Sequence, residues 1–243
     1  MAGAAGRVEE TDSARLPDPP RLARAVREAA VDFYYNSWRL VPANAVWGAG
    51  LVGLLLVAGP TLAAVLLAPL LAIPTAGIYR MAARLVRDGH TGFDDFLAGI
   101  RRFWFAALAS GAAAILLGAA FTTNALLGMG SNDVPGWLFG AAALYADLAL
   151  ALVLVAYWPI LVDPLREALP LRRRAALAVL VALARPGQLL ALGAVVGAIL
   201  VGSTILFAAL LTVSIAYVGL VTTRYVLPLA DRLEGRRTVE RID

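Results

Sequence analysis

The chain reads as an all-α, polytopic transmembrane helix bundle of about six spans with cytoplasmic interfacial helices, and three observations lead there. Of its 243 residues, 60% are hydrophobic and the mean hydropathy is +0.77, whereas a soluble domain is closer to half apolar. Two stretches, 44–79 and 188–223, contain no charged residue. As single helices each would be about 54 Å long, far beyond the ~30 Å hydrocarbon core, so each must divide into two spans. The third observation is the placement of the basic residues, all of them arginine. With six spans, six arginines precede the first, five lie between spans 2 and 3, five between spans 4 and 5, and five from Arg224 onward. All 21 then fall on one side, as the positive-inside rule requires of the cytoplasmic face. Merging either uncharged stretch into one span would put a terminus with its arginines outside.

In chain order, 1–17 reads as a disordered N-terminus rich in Ala, Gly and charge, without the short apolar core of a secretory signal. An amphipathic helix over 18–42 follows. Asp18-Pro19-Pro20 supplies its cap and first turn, and Leu22, Val26, Ala29 and Phe33 share one face. It either lies on the membrane surface or packs on another cytoplasmic segment. The transmembrane bundle occupies 43–229. Gly59-Pro60 separates a span at 44–58 from one at 61–79. The polar stretch from Arg80 to Arg102 holds a capped start at Thr91-Gly92-Phe93-Asp94 and a second expected interfacial helix. Spans at 103–127 and 137–160 follow, the latter with Trp137 and Trp158 at its ends as interface anchors.

The stretch from Trp158 to Pro186 is a charged, proline-punctuated break. Asp163-Pro164 reads as a cap-plus-proline start, and 175–184 is apolar but too short to cross a bilayer. The last spans are expected at 188–206 and 208–226, with a charged cytoplasmic tail at 230–243.

Composition excludes several kinds of chemistry. There is no cysteine, hence no disulfide and no thiolate ligand or nucleophile. The one histidine, His90, leaves no multi-histidine metal site or relay. The net charge of +4 reflects arginines that mark a membrane side, so no nucleic-acid partner is inferred. No phosphate-binding loop, dinucleotide fingerprint or hydrolase motif is present. No catalytic residue, cofactor site or metal site is assigned, and no enzyme activity is expected.

Two sets of residues remain as candidates. Asp147 is the sole acid within an expected span, near the middle of the bilayer, where a charged Asp costs roughly 2.5–3.5 kcal/mol on insertion scales. Ser214 and Tyr217 are expected at similar depth as its hydrogen-bond partners. That grouping is read either as a proton- or substrate-handling site or as a neutral Asp satisfied within the bundle. The triplet Arg172, Arg173 and Arg174 is read as a contact for anionic lipid headgroups or for the acidic surface of a partner. Small-residue pairs at Gly136/Gly140, Ser110/Ala114/Gly118 and Gly193/Gly197 permit close helix approach.

Several segments carry a resemblance. AIPTAGIYRMAARLVRDG (72–89) followed by FDDFLAGIRRF, the Asn44…Trp47 start of the first span, and YWPILVD (157–163) together resemble the YesL-like bacterial membrane proteins, the domain-of-unknown-function 624 family, over about 36–234. The apolar stretch between Asn44 and Pro74 is longer than in the compact members of that family. The resemblance implies a bacterial inner-membrane protein associated with carbohydrate-uptake systems, with no defined site to carry over. The function expected is a non-enzymatic accessory or interaction component of a transport system. The alternative is a small transporter or channel using Asp147. Expected partners are membrane lipids and subunits of such a system; oligomeric state is not legible.

Overall fold

A computed structural model describes residues 21–59, 61–131 and 133–235. The expected disordered segment 1–17, the Asp18-Pro19-Pro20 start, Pro60 of the first turn and the tail beyond Gly235 lie outside the described residues. Among the described residues all regular structure is helical. Six helical segments are long and apolar enough to cross a membrane, so the protein is a multi-pass membrane protein.

Helix α1 runs Leu22–Ala58 without interruption. The expected boundary between an interfacial helix ending at 42 and a span beginning at 44 is therefore absent. Pro42 lies inside the helix, as prolines do in transmembrane helices whose neighbours satisfy the freed backbone groups. The change in composition there reflects what surrounds the helix, because both segments share the helical period. The amphipathic half does not lie free on a surface. Arg224 pairs with Glu28 and Asp32, and the Phe33 and Tyr217 rings meet edge to face at 6.1 Å. One face packs on the helix that bears Arg224 and Tyr217, inside the expected last span rather than on another cytoplasmic segment, while Tyr34, Tyr35 and Trp38 stay exposed on the other.

Gly59, with φ 56, ends α1. Helix α2 (Leu62–Leu67) passes through a short 3₁₀ turn at Ala68–Leu71 into α3 (Ala72–Asp88). Helix α3 continues past the expected end at 79 and stops at Gly89, φ 75. Helix α4 spans Phe93–Met129. The second expected interfacial helix is its first turns, continuous with the span. The start is capped as the sequence suggested, one residue later. The Asp95 carboxylate accepts from the Gly92 N–H at 3.0 Å and from the Thr91 hydroxyl at 3.2 Å.

Helix α5 (Val134–Val162) begins under the Asp133 carboxylate, which accepts from Gly136 N–H at 2.6 Å. Pro164–Arg166 form a 3₁₀ turn and α6 occupies Leu171–Ala184. Helix α7 (Pro186–Ile205) ends at a break at Leu206, close to the expected turn. The last segment is α8 (Phe207–Ala209), a π-helical turn at Leu210–Ser214, and α9 (Ile215–Leu233). Consecutive spans run antiparallel, so the arginines gather at one end, here termed the basic end.

The π turn has a specific cause of stability. Asn44, fully buried, donates to Leu210 O at 3.1 Å and accepts from Ala216 N–H at 2.8 Å. One amide thus satisfies a carbonyl and an N–H on either side of the turn, groups that lipid cannot pair. Gly48 lets the chains approach here, since a Cβ on it would stand 2.7 Å from Leu211 O.

Packing is uneven along the membrane normal. The buried apolar cluster comprises 25–43 of α1, 72–85 of α3, 96–107 of α4, 156–162 of α5, 177–182 of α6, 189–192 of α7 and 216–230 of α9. All of it lies in the half of the bundle nearer the basic end. In the far half, Leu56 and Val57 of α1, Leu126 and Leu127 of α4, and Val201 and Ile205 of α7 are exposed. The exception is the α4–α5 hairpin. There Gly128 and Gly140 touch backbone to backbone, and a Cβ on Gly128 would stand 2.5 Å from Gly140 N.

Candidate functional site

The charged groups of the basic end are organised around the end of α5 and the turn after it. The last carbonyls of a helix have no partner within it, and they attract cations. Arg80 of α3 donates to Val162 O at 2.8 Å, and Arg174 of α6 donates to Leu161 O at 2.6 Å. Arg174 also reaches Glu167 O at 2.6 Å and Leu169 O at 3.0 Å. Both arginines are buried, at 6% and 7% exposure. Burial pulls the Arg174 guanidinium below its ordinary pKa, with Glu167 the leading charge that opposes this.

Just beyond, two arginines and two aspartates form a closed ring. Arg87 of α3 holds Asp163 at 2.8 Å and Asp231 of α9 at 2.6 Å. Arg166 pairs with the same two carboxylates and adds Glu234 at 2.8 Å. Asp163 and Arg166 are fully buried. Asp163 also caps the 3₁₀ turn, accepting from Leu165 N–H at 3.2 Å, so the expected cap is present although the helix it starts is a single 3₁₀ turn. Here every buried charge has opposite partners, the condition under which buried ions are tolerated.

A second node is built differently. Glu167 pairs with Arg80 and, at 2.9 Å, with Arg102 of α4, while Arg174 grips its backbone. Arg174 also lies 5.6 Å over the Phe103 ring of α4, so its side chain reaches from the start of α6 to the third turn of α4. Three guanidiniums therefore meet at Glu167, two at its carboxylate and one at its backbone carbonyl. Arg101, Arg172 and Arg173, neighbours in sequence of Arg102 and Arg174, are exposed.

The arginine triplet is thus divided. Arg174 faces inward and holds carbonyls of its own chain, so it is not a surface contact. Arg172 and Arg173 face outward. Asp147 and its expected partners are not brought together. Asp147 is half-buried in the α4–α5 seam, where its carboxylate accepts from the Thr122 hydroxyl at 3.1 Å, with Gly118 alongside. Ser214 donates instead to Ala209 O at 3.0 Å in the π turn, and Tyr217 donates to Val26 O at 3.3 Å. Tyr217 packs on Val26 and Phe33 with the basic-half core, whereas Asp147 lies in the hairpin beyond it.

In sequence, Asp163 reads as a cap, Arg87 and Arg166 as markers of the cytoplasmic side and Asp231 as part of the charged tail. The one local signal was the i,i+3 pair Asp163/Arg166 between prolines. Arg87 and Asp231 join it from far along the chain, which spacing alone does not reveal. A polar cleft near His90 is lined by Arg39, Arg84, Asp88, Asp94 and Asp95. Its arginines are already engaged: Arg39 donates to Thr91 O at 2.7 Å and Arg84 pairs with Asp88 at 2.7 Å. Among the described residues no group of His, Cys, Asp or Glu is placed to hold a metal ion. Compared with known proteins, the chain matches no family model, no curated protein and no solved structure.

Proposed function

We propose that this chain is a non-enzymatic accessory component of a membrane transport system, seated in a bacterial inner membrane with both termini in the cytoplasm. The observation that carries this reading is the uneven packing. A tightly tied basic half supports helices whose far halves expose Leu56, Leu127 and Ile205 on separate elements. Transmembrane helices of another subunit can fill that space, as lipid otherwise does, by packing contacts alone. The orientation rests on the arginine distribution, and the link to carbohydrate uptake rests on the YesL-like resemblance. Photo-crosslinkers at Leu56, Leu127 and Ile205 are expected to capture the same transport subunit in cells, with no capture from exposed Tyr35 at the basic end. Lipid adducts alone at all three positions would defeat the reading.

A second reading is kept alive by Asp147, half-buried at mid-depth with one hydroxyl partner. In it the chain alone carries a proton-coupled flux. Liposomes holding the purified chain would then show flux that Asp147→Asn abolishes, whereas flux equal to that of empty liposomes rules this reading out.

A further inference from the structure

The Glu167 node points to an anionic phospholipid headgroup as its missing counter-charge. We propose that the third turn of α4 and the start of α6 form a binding site for one, with Arg101, Arg102, Arg172 and Arg173 holding the phosphate. The proposal is independent of the accessory-subunit reading and uses only the membrane-spanning fold.

Three observations converge. The first is a charge imbalance. The ring of Arg87 and Arg166 is matched by Asp163, Asp231 and Glu234. The neighbouring node sets Arg80, Arg102 and Arg174 around Glu167, with Asp95 also acting on Arg80 and Asp163 on Arg174, while Arg101, Arg172 and Arg173, next to this node in sequence, are exposed and carry no ion pair among the described residues. Arg102 is 58% exposed even while it touches Glu167, so it can turn toward a ligand.

The second is the lie of α6. Helix α5 ends and α7 begins at the basic end, so both ends of α6 are on one side of the membrane. A helix of 14 residues is about 21 Å long and must run along the interface. One stripe, Arg174, Leu177, Ala178, Val181 and Ala182, is buried on the bundle. The opposite stripe, Val179, Leu180 and Leu183, is apolar and exposed. A helix with an apolar outer edge and arginines at its start fits the boundary between headgroups and acyl chains.

The third is the same pattern on α4, where exposed Trp104 and Phe105 lie within one turn of Arg101 and Arg102. Cations sit above apolar surface on both helices. That combination distinguishes a lipid from a free phosphate, which has no use for the apolar part.

The test uses the full chain in detergent, offered phosphatidylglycerol and phosphatidylcholine, with retained lipid counted by native mass spectrometry. Wild type is expected to retain phosphatidylglycerol preferentially. Arg172→Gln with Arg173→Gln should cut that preference roughly tenfold or more, the effect of two charges near an anionic surface. Arg101→Gln alone should cut it less. Arg21→Gln with Arg27→Gln, which removes two exposed arginines at the start of α1, should leave it unchanged. No preference in wild type, or equal loss in the α1 variant, overturns the site. If glycerophosphoglycerol, which lacks acyl chains, competes as well as the lipid, the lipid assignment is wrong and the node is a plain phosphate site. All these arginines except Arg102 lack an ion pair among the described residues, and the thermal unfolding of each variant shows whether its fold is retained.

Discussion

Arg166 is the side chain whose loss this fold should feel most. It is fully buried and joins Asp163, Asp231 and Glu234. Removing one member of a buried ion cluster costs about 3–5 kcal/mol, because the opposite charges stay buried without their partner. Arg166→Gln leaves both aspartates to Arg87 alone and should lower the thermal unfolding midpoint strongly in detergent. Arg172→Gln, two helix positions from the buried Arg174 but facing outward, should leave that midpoint within measurement error. Similar midpoints for the two variants would show that the ring contributes little. The contrast also states what sequence could and could not give at this scale. Both arginines sit in one charged linker, and composition marks both as cytoplasmic-side residues. Their opposite fates are set by Asp231, 65 positions from Arg166, which no local pattern points to.

At the scale of elements, six spans and their order were legible because length, charge and turn residues all constrain them together. The breaks near Gly59 and Leu206 and the cap at Asp163 were legible for the same local reasons, and the start of α4 to within one residue, its cap falling on Asp95 rather than Asp94. The joins at Pro42 and Arg102 were not. Amphipathic and fully apolar stretches share the same 3.6-residue period, so a change of surroundings imitates a boundary. The π turn was also hidden, because Asn44 stabilises it from another helix.

The glycines of the α4–α5 hairpin give this scale its sharpest test. Gly128→Ala would place a methyl group against the Gly140 backbone, and overpacking of that kind costs about 1–3 kcal/mol. Gly197 of α7 has nothing within 4 Å of the same position. Gly197→Ala should therefore be neutral or stabilising by up to about 1 kcal/mol, the helix-propensity difference. Unfolding curves that rank the two variants the other way would contradict the seam.

For the whole molecule, the position of the core predicts where motion resides. The chain has no cysteine, so paired spin labels can be introduced cleanly. Labels at Tyr35→Cys and Leu97→Cys, on α1 and α4 in the basic half, should give a narrow distance distribution. Labels at Leu56→Cys and Leu127→Cys, on the same two helices in the far half, should give a broad one. Equal widths would mean that the far halves are held by contacts the fold does not display. The candidate site follows the same division. The tied charges belong to the packed half, while Asp147, the residue that composition made conspicuous, lies in the hairpin that reaches out of it.

The π turn and its Asn44 tie occupy the level at which packing gives way. Below it, α1 and α9 are joined by ion pairs and rings; above it, α1 continues to Ala58 with Leu56 and Val57 exposed. The protein therefore presents a stiff collar to one leaflet and compliant fingers to the other. Its cross-section in the second leaflet can follow the lateral pressure of the surrounding acyl chains while its outline in the first stays fixed.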